Sequence, residues 1–384
     1  MPQESEGCGS QPWPDQMPGH IRSPRGAIWR KEPGLVLVLI LYLVLSIVYS
    51  VVTPIYEAPD EIYHYPLVKR LADGDGLPVL DAAHIGLWQQ EGGQPPLYYA
   101  LGALLTAWID TDDLVAVRRL NPHADIGVLT RDRNVNRIVH TSREAFPYKG
   151  SVLAIHVVRW MSVIMGGVTV VAGYLLSRQI FPRDRLLALS AASLTALNPM
   201  FLFVTASVNN DGLVIMLGAL GLWLMVRYVT MRPTAVQWAL LGGLLGLGSL
   251  AKLSGLGMIP LAGLTLIAVA WRQRSWRDLL VGGVCLALPL FLLSGWWYYR
   301  NVRLYGDPLG LSAFVSIIGE RYPKPTLRQL FGEWRGFVMS YWGFFGSLNV
   351  PAPGWVYWPL SLFGAIGLLG APVYLWRQHR GQEG

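Results

Sequence analysis

Repeated long apolar runs constrain the fold of this sequence more than any other feature. Runs of roughly 18 residues or more are typical of helices that cross a bilayer. Only 14% of the 384 residues are charged, whereas soluble globular proteins carry about 25%. The sequence therefore predicts an all-α polytopic membrane protein with about eight transmembrane helices, at residues 34–53, 152–176, 186–206, 212–229, 236–251, 253–271, 279–298 and 355–376.

The basic residues of the short loops predict the topology. Lys and Arg occur in the N-terminal tail, after the second, fourth and sixth predicted helices, and in the C-terminal tail. The positive-inside rule then places both termini in the cytoplasm of a cell membrane. The net charge of +7 is explained by this sorting across the bilayer, so we expect membrane lipids and no nucleic acid as partners.

One transmembrane domain is predicted at residues 34–376, between a disordered cytoplasmic tail at 1–33 and a cytoplasmic tail at 377–384. The first apolar run follows too long a polar segment for a signal peptide, so we expect a retained anchor. Two long segments, 54–151 and 299–354, fall on the outer side. Residues 95–110 are too short to span and predict an interfacial helix, with Tyr98, Tyr99 and Trp108 at headgroup level.

A cluster of acids and a histidine follows the first predicted span, in an outer loop that holds more than half of the 24 acidic residues. Pro59 suits the first position of a helix, and Asp60 and Glu61 would then lie in a first turn that favours carboxylates. Such a helix start needs no function. The alternative is a catalytic carboxylate pair. Asp60, Glu61 and His64 are also candidate ligands of a divalent metal, although one Glu-x-x-His pair is half of what a di-iron site needs.

Further polar residues are expected on the same side and are candidates for binding a sugar donor or its phosphate. Each also has an ordinary explanation as a turn, a helix start or an interface anchor. Arg159 is the costliest to place, because it lies inside a predicted span. No metal or cofactor is required by any spacing, and the cysteines give no disulfide framework. The candidates are His64, Gln94, Tyr98, Arg159, Asp211, Lys252, Arg300 and Arg303.

The order of these motifs resembles the C-type integral-membrane glycosyltransferases, the superfamily of the protein O-mannosyltransferases and the aminoarabinose transferase of lipid A. Pro59-Asp-Glu-x-x-His resembles the start of their first outer loop, and Gln94-Pro-Pro-Leu is similar to their His-Pro-Pro-Leu segment. Arg159-Trp-Met-Ser resembles their second span. A bacterial branch of the superfamily is similar in Ser207-Val-Asn-Asn-Asp, Lys252-Leu-Ser-Gly and Gly295-Trp-Trp-Tyr-Tyr-Arg-Asn.

This resemblance implies an inverting enzyme that moves a sugar from a polyprenyl-phosphate carrier to a glycan, lipid or protein acceptor on the outer face. Asp60 matches the general base and Glu61 is its catalytic neighbour. Cationic residues stabilise the leaving phosphate, and some members hold a divalent metal near the acids.

Two departures leave alternatives open. Gln94 replaces the histidine of the family pattern. Relatives also continue with more helices, so the chain is a minimal member, a truncated product or a fragment. A transporter or flippase of lipid-linked sugar, or a non-catalytic member, remains the alternative to an enzyme.

Overall fold

The computed structural model describes residues 32–129 and 134–380. The predicted tail at 1–33 falls outside these ranges except for its last two residues, as does the end of the tail at 377–384. The α-helices of the described residues are α1 Pro33–Val52, α2 Glu61–Ala72, α3 Leu97–Thr106, α4 Leu114–Val117, α5 Gly150–Ile180, α6 Arg185–Ala196, α7 Pro199–Thr205, α8 Asp211–Thr230, α9 Ala235–Ala251, α10 Met258–Gln273, α11 Trp276–Tyr305, α12 Leu311–Ile318, α13 Leu327–Gly332, α14 Trp334–Trp342 and α15 Gly354–Arg380.

The remaining regular structure is small. Three 3₁₀ turns lie at Gln89–Gly93, Ser142–Glu144 and Leu253–Gly257. Two short strands, β1 Phe344–Phe345 and β2 Val350–Pro351, pair antiparallel in the second long loop. The prediction of an all-α membrane fold is confirmed.

Six described helices are long and apolar enough to cross a membrane, and the pair α6 and α7 would make a seventh span. All eight predicted spans contain helix, and two of them are not among these six. The fifth, α9, has 17 residues, and the third is broken. The six long helices are Pro33–Val52, Gly150–Ile180, Asp211–Thr230, Leu253–Gln273, Trp276–Tyr305 and Gly354–Tyr374.

The break in the third predicted span lies at Asn198 and Pro199, where α6 and α7 meet at 60°. Proline suits the first turn of a helix, because its missing N–H would be unpaired there. The Asn198 side chain accepts hydrogen bonds from the backbone N–H groups of Met200 and Phe201, at 2.9 and 3.1 Å. Asn198 therefore separates the two helices and caps the second, so the helix predicted at 186–206 is broken in two.

Helix α5 lies at the centre of the bundle and packs against α1, α6, α8 and α3. A second group, α8 to α11, packs around its own apolar cluster. Within it α9 and α11 approach closely at Gly242, where a Cβ atom would collide with the carbonyl oxygen of Leu286. The backbone of α9 can approach α11 because glycine has no side chain at this position.

Helix α3 corrects the predicted interfacial helix. Its ten residues are too few to span, as expected. Tyr98 and Tyr99, however, are fully buried against neighbouring helices, whereas Trp108 is 72% exposed. The prediction that all three rings lie at headgroup level is therefore wrong for the two tyrosines, which belong to the protein core.

Candidate active site at the loop face

The fold brings the sequence motifs to one end of the bundle, where α1 ends and α5 and α8 begin. We call this end the loop face, because the segments 53–149 and 306–353 extend from it. Residues far apart in sequence meet there through side-chain contacts, such as Glu61 with Arg159 and Asp211 with Lys252.

Asp60 occupies a strained position immediately before α2. The helix begins at Glu61, two residues later than predicted, and Asp60 is its N-cap residue with φ of 57°. This left-handed conformation is uncommon for any residue except glycine, although aspartate tolerates it better than most. The Asp60 side chain does not cap the helix. Backbone strain of this kind is concentrated at functional sites.

Glu61 is fully committed to structural contacts. One carboxylate oxygen accepts from Nε of Arg159 and from the N–H of Val208, both at 2.8 Å. The other accepts from Nη2 of Arg159 at 2.5 Å and from the N–H of Tyr56 at 2.8 Å. Glu61 is completely buried, so its oxygens do not face a substrate. The predicted catalytic role of Glu61 stays a prediction that this geometry does not support.

Arg159 is likewise saturated. Besides Glu61, its guanidinium donates to the backbone carbonyls of Ser50 and Thr53 at 2.7 Å and of Pro54 at 3.0 Å. These carbonyls belong to the last turn of α1 and the residues after it, where helical partners are missing. The predicted role of Arg159 as a phosphate binder stays a prediction that this geometry does not support, because its donors close the end of α1 and hold Glu61.

Asp60 differs from Glu61 in both its hydrogen bonds and its burial. Within the described ranges its carboxylate makes no hydrogen bond, and the residue is half-buried. Burial raises the pKa of Asp60, while the positive charges of Lys252 and Arg137 oppose this and the negative charge of Asp211 reinforces it. A free carboxylate of raised pKa suits a group that accepts a proton.

Lys252 and Asp211 form an ion pair close enough to act on Asp60. Nζ of Lys252 donates to Asp211 at 2.7 Å, and the side chains are 27% and 35% exposed. Lys252 ends α9 and Asp211 begins α8. The structure thus brings together three predicted site residues, Asp60, Asp211 and Lys252, around a partly accessible charge cluster.

A buried triad lies beside this cluster. Nδ1 of His64 is 2.8 Å from the Tyr99 hydroxyl and 3.3 Å from Glu91, and the Tyr99 hydroxyl is 3.2 Å from the same carboxylate oxygen. Burial, helped by the positive charge of Lys252, lowers the pKa of His64 to about 3. Burial and the nearby charge of Asp60 raise the pKa of Glu91 to about 8. His64 is therefore neutral at pH 7 and Glu91 mostly protonated.

His64 and Tyr98 do not contact a donor in the way the sequence predicted. His64 is buried within the triad, so it supports Glu91 and Tyr99. Tyr98 is fully buried, with its hydroxyl 2.8 Å from Oγ of Ser162 and accepting from the N–H of Asn209 at 3.0 Å. Their donor contacts stay predictions that this geometry does not support, because both side chains are buried inside the protein.

Gln94 follows the turn that carries Glu91 and precedes α3. Its Oε1 atom is buried without a hydrogen-bond partner among the described residues. An unsatisfied buried acceptor is costly, and a donor supplied by a ligand would satisfy it. The predicted hydrogen bond from Gln94 to a hydroxylated ligand stays a prediction.

The two arginines at the end of α11 have different surroundings. Arg300 stacks on Trp297 at 5.1 Å and donates from Nη2 to the Pro78 carbonyl at 2.8 Å. Its Nη1 atom is buried without a described partner. Arg303 is exposed and only reaches the Tyr299 hydroxyl, at 3.4 Å. The structure does not bring Arg303 to the charge cluster, in contrast to its predicted role.

The candidate metal ligands do not converge. Asp60 is free, but Glu61 uses all of its acceptor positions on N–H groups, and His64 faces Glu91 and Tyr99. Within the part of the chain that the structure describes, no group of three His, Cys, Asp or Glu side chains could hold a metal ion. Asp60, Glu61 and His64 therefore do not fit a shared metal ion.

Two functional positions were missed by sequence reasoning. Glu91 is a single acid in a loop and gives no pattern; its burial arises because Leu80 and Trp88 pack onto the glycines beside it. Glu57 accepts from the N–H groups of Arg137 and Ile138, at 2.8 and 3.2 Å, and from the ring of His140 at 2.9 Å. Glu57 thereby fixes the first long loop onto the bundle.

Comparison with known proteins adds a match to a family model. Residues 152–299 match the family model described as dolichyl-phosphate-mannose-protein mannosyltransferase. The matched region runs from α5 into α11; it includes Arg159, Asp211 and Lys252 but not Asp60. The match confirms the predicted superfamily and supports a glycosyltransferase.

Among solved structures, the apo oligosaccharyltransferase of Archaeoglobus fulgidus aligns with this chain at 14% identity and a TM-score of 0.43. The alignment covers 80% of this chain and 39% of the archaeal one, so this chain spans less than half of that protein's length. Comparison with curated protein sequences finds no match.

Proposed function

We propose that this chain, a C-type integral-membrane glycosyltransferase by its family match, transfers a sugar from a polyprenyl-phosphate carrier to an acceptor at the loop face. The family name describes a mannose linked to dolichyl phosphate as donor and a protein as acceptor. The donor class of this chain is inferred from that description. The acceptor class, whether glycan, lipid or protein, is left to the experiment below.

The observation that carries the mechanism is the difference between Asp60 and Glu61. Glu61 is buried with four hydrogen bonds, whereas the Asp60 carboxylate is half-buried and free. We assign Asp60 as the general base. It accepts the proton of the acceptor hydroxyl while the acceptor oxygen bonds to the anomeric carbon. The bond from that carbon to the phosphate oxygen breaks, and polyprenyl phosphate leaves with the electron pair. One displacement inverts the configuration.

The protonation of Glu91 supports this assignment, because of the two neighbouring carboxyl groups, Asp60 and Glu91, it is Glu91 that carries a proton. The charge of Asp60 contributes to the raised pKa of Glu91, so protonation of Glu91 at neutral pH leaves Asp60 as the ionised member. Pairs of carboxyl groups whose surroundings separate their protonation states are typical of acid–base sites. Glu91 is buried, and its role is to position the triad rather than to touch substrate.

Lys252 and Arg300 are the proposed contacts of the leaving phosphate. Lys252 is partly exposed beside Asp60, so its ammonium group can contact a phosphate without leaving Asp211. Arg300 is tied to the Pro78–Leu80 segment, which packs against the turn carrying Glu91. Its unpaired Nη1 is a donor that a phosphate oxygen would satisfy. Cations placed where negative charge develops lower the barrier of the displacement.

The loop face is proposed to lie on the outer side of the membrane, with both chain termini in the cytoplasm. The distribution of Lys and Arg between the short loops supports this orientation. Accessibility of single cysteines to a membrane-impermeant reagent in intact cells would test it. The cysteine of Asp112→Cys, in the first long loop, should react, and that of Arg183→Cys, between α5 and α6, should not.

The function is tested with purified protein and radiolabelled polyprenyl-phosphate sugars in the presence of membrane extract. We expect release of polyprenyl phosphate together with label in a new product. Movement of intact labelled donor across a liposome membrane, without cleavage, would replace the enzyme by a transporter. Neither cleavage nor movement with any donor would contradict both functions.

A further inference from the structure

A cavity lies at the loop face, apart from the Asp60 cluster. It has a volume of about 430 Å³, within the range of about 300–1,000 Å³ typical of small-ligand pockets. The last turns of α1, Phe203 of α7, residues 135–136 and the β1–β2 hairpin enclose it. We call it the α1 groove. Asp60 and Lys252 do not line it.

The walls of the α1 groove are apolar and aromatic. The ring of Tyr49 lies 6.5 Å from that of Phe203 and 6.2 Å from that of Phe345, and the two phenylalanine rings are 5.3 Å apart. Val48 and Val52 also line the groove and are 49% and 72% exposed. Because both lie on a membrane-spanning helix, the groove opens where lipid hydrocarbon would contact α1.

One end of the α1 groove is polar and contains an unsatisfied acceptor. Asn349 is 3% exposed, and its Nδ2 donates to the Val135 carbonyl at 2.7 Å. This hydrogen bond fixes the orientation of the amide, so Oδ1 is the atom left buried without a described partner. Leaving a buried acceptor unpaired is costly. A ligand with a hydroxyl or amide N–H group would supply the missing donor.

The charges around the α1 groove differ from those expected of a phosphate-binding site. No Lys or Arg side chain is among the described residues that line it, whereas Glu57 is. The His140 ring contacts Glu57 through Nε2, and its Nδ1 atom lies 2.8 Å from the Glu144 carboxylate. Glu57, His140 and Glu144 together therefore carry a net negative charge even when His140 is protonated. A lipid with a phosphate headgroup would therefore be repelled, while an uncharged polar head would not.

We propose that the α1 groove binds one hydrocarbon chain of an uncharged, hydroxyl-bearing membrane lipid, with the hydroxyl donating to Oδ1 of Asn349. The aromatic walls and the opening beside α1 suit the chain, and the free acceptor and the absence of a lining cation suit the head. This binding does not depend on glycosyl transfer. The phosphate-bearing donor of the proposed reaction requires Lys252 and Arg300 instead.

The test uses full-length protein in nanodiscs that contain diacylglycerol with a diazirine in one acyl chain. The comparison probe is phosphatidic acid with the same photoreactive chain. After irradiation, mass spectrometry locates the cross-links. The decisive variant is Val48→Trp, which fills the groove, and its matched control is Val44→Trp, an exposed position one turn earlier on α1 that does not line the groove.

We expect diacylglycerol to label residues 48–52 or 345–350 more strongly than phosphatidic acid does. Val48→Trp should weaken this labelling about tenfold, which corresponds to the loss of about two buried methylene groups, while Val44→Trp should not. Equal labelling by both probes, or equal loss in both variants, would reduce the site to ordinary lipid contact. Displacement of the diacylglycerol probe by a polyprenyl phosphate, rather than by unlabelled diacylglycerol, would assign the groove to the carrier and overturn the proposal.

Discussion

Glu61 and Arg159 form a completely buried ion pair whose closest atoms are 2.5 Å apart, although 98 residues separate them in sequence. The pair joins the end of α1, the start of α2 and the first third of α5. Its remaining hydrogen bonds go to backbone groups at the end of α1, after it and at Val208. The ion pair therefore holds the loop face together and sets the position of Asp60, the residue before Glu61.

The first prediction concerns this pair. Arg159→Met should reduce the free energy of unfolding by about 3–5 kcal/mol, because it leaves a buried carboxylate without its partner. Thermal unfolding in detergent measures the change. Arg303→Met is the matched control, since Arg303 is exposed and makes one long contact. Similar unfolding temperatures for the two variants would show that the pair does not stabilise the fold.

The second prediction concerns the pH dependence of stability at Glu91. Its pKa is raised to about 8 by burial and by Asp60, above the ordinary value near 4.5. The folded state therefore holds a proton that the unfolded state has lost, and this contribution to stability disappears as the pH rises through about 8. In Glu91→Gln this loss of stability between pH 5 and 9 should be absent. Glu320→Gln, at an exposed position, should lose stability over this range as the wild-type protein does. Unfolding midpoints across that range measure it; a wild-type profile unchanged by Glu91→Gln would contradict the prediction.

The third prediction concerns His140, which holds the first long loop to Glu57. Burial lowers the pKa of His140, but hydrogen bonds to Glu144 and Glu57 outweigh burial and raise it to about 9. The stabilisation is thus present below about pH 6.5 and is lost as the pH rises through about 9. His140→Gln should be destabilising at pH 6 and nearly neutral at pH 10.

His84→Gln is the control for His140, because His84 also contacts a carboxylate but is exposed. Limited proteolysis of the 119–144 loop at both pH values gives a local measurement. Cleavage of His140→Gln no faster than that of the wild-type protein at pH 6 would show that protonation of His140 does not hold the loop.

The fourth prediction uses the two charges that act on Asp60 in opposite directions. Lys252 lowers the pKa of Asp60 and Asp211 raises it. Lys252→Met should therefore move the acidic limb of the pH–rate profile to higher pH, and Asp211→Asn should move it to lower pH. Rates of polyprenyl phosphate release between pH 4 and 8 measure the limb. Shifts in the same direction would show that the limb reports a group other than Asp60.

The sequence predicts most of the helices, because each depends on a local run of apolar residues. It also places the polar motifs at one end of the bundle through the alternation of basic loops. Local sequence patterns do not distinguish the roles of Asp60 and Glu61, because the two acids are adjacent and of the same chemical type. They differ only in the folded protein, where Glu61 is buried against Arg159. The predicted location of Tyr98 and Tyr99 is wrong for the same reason, since the sequence does not distinguish an aromatic residue at a membrane surface from one in the protein core.

The transfer activity of Asp60→Asn tests most directly whether Asp60 is the general base. The variant keeps the size of the side chain and removes the base, so we predict that sugar transfer from polyprenyl-phosphate donors falls by about 10²–10⁴-fold with an unchanged unfolding temperature. Asp112→Asn, at an exposed position of the same loop, should keep wild-type activity. Wild-type transfer by folded Asp60→Asn would contradict the assignment of Asp60 as the base.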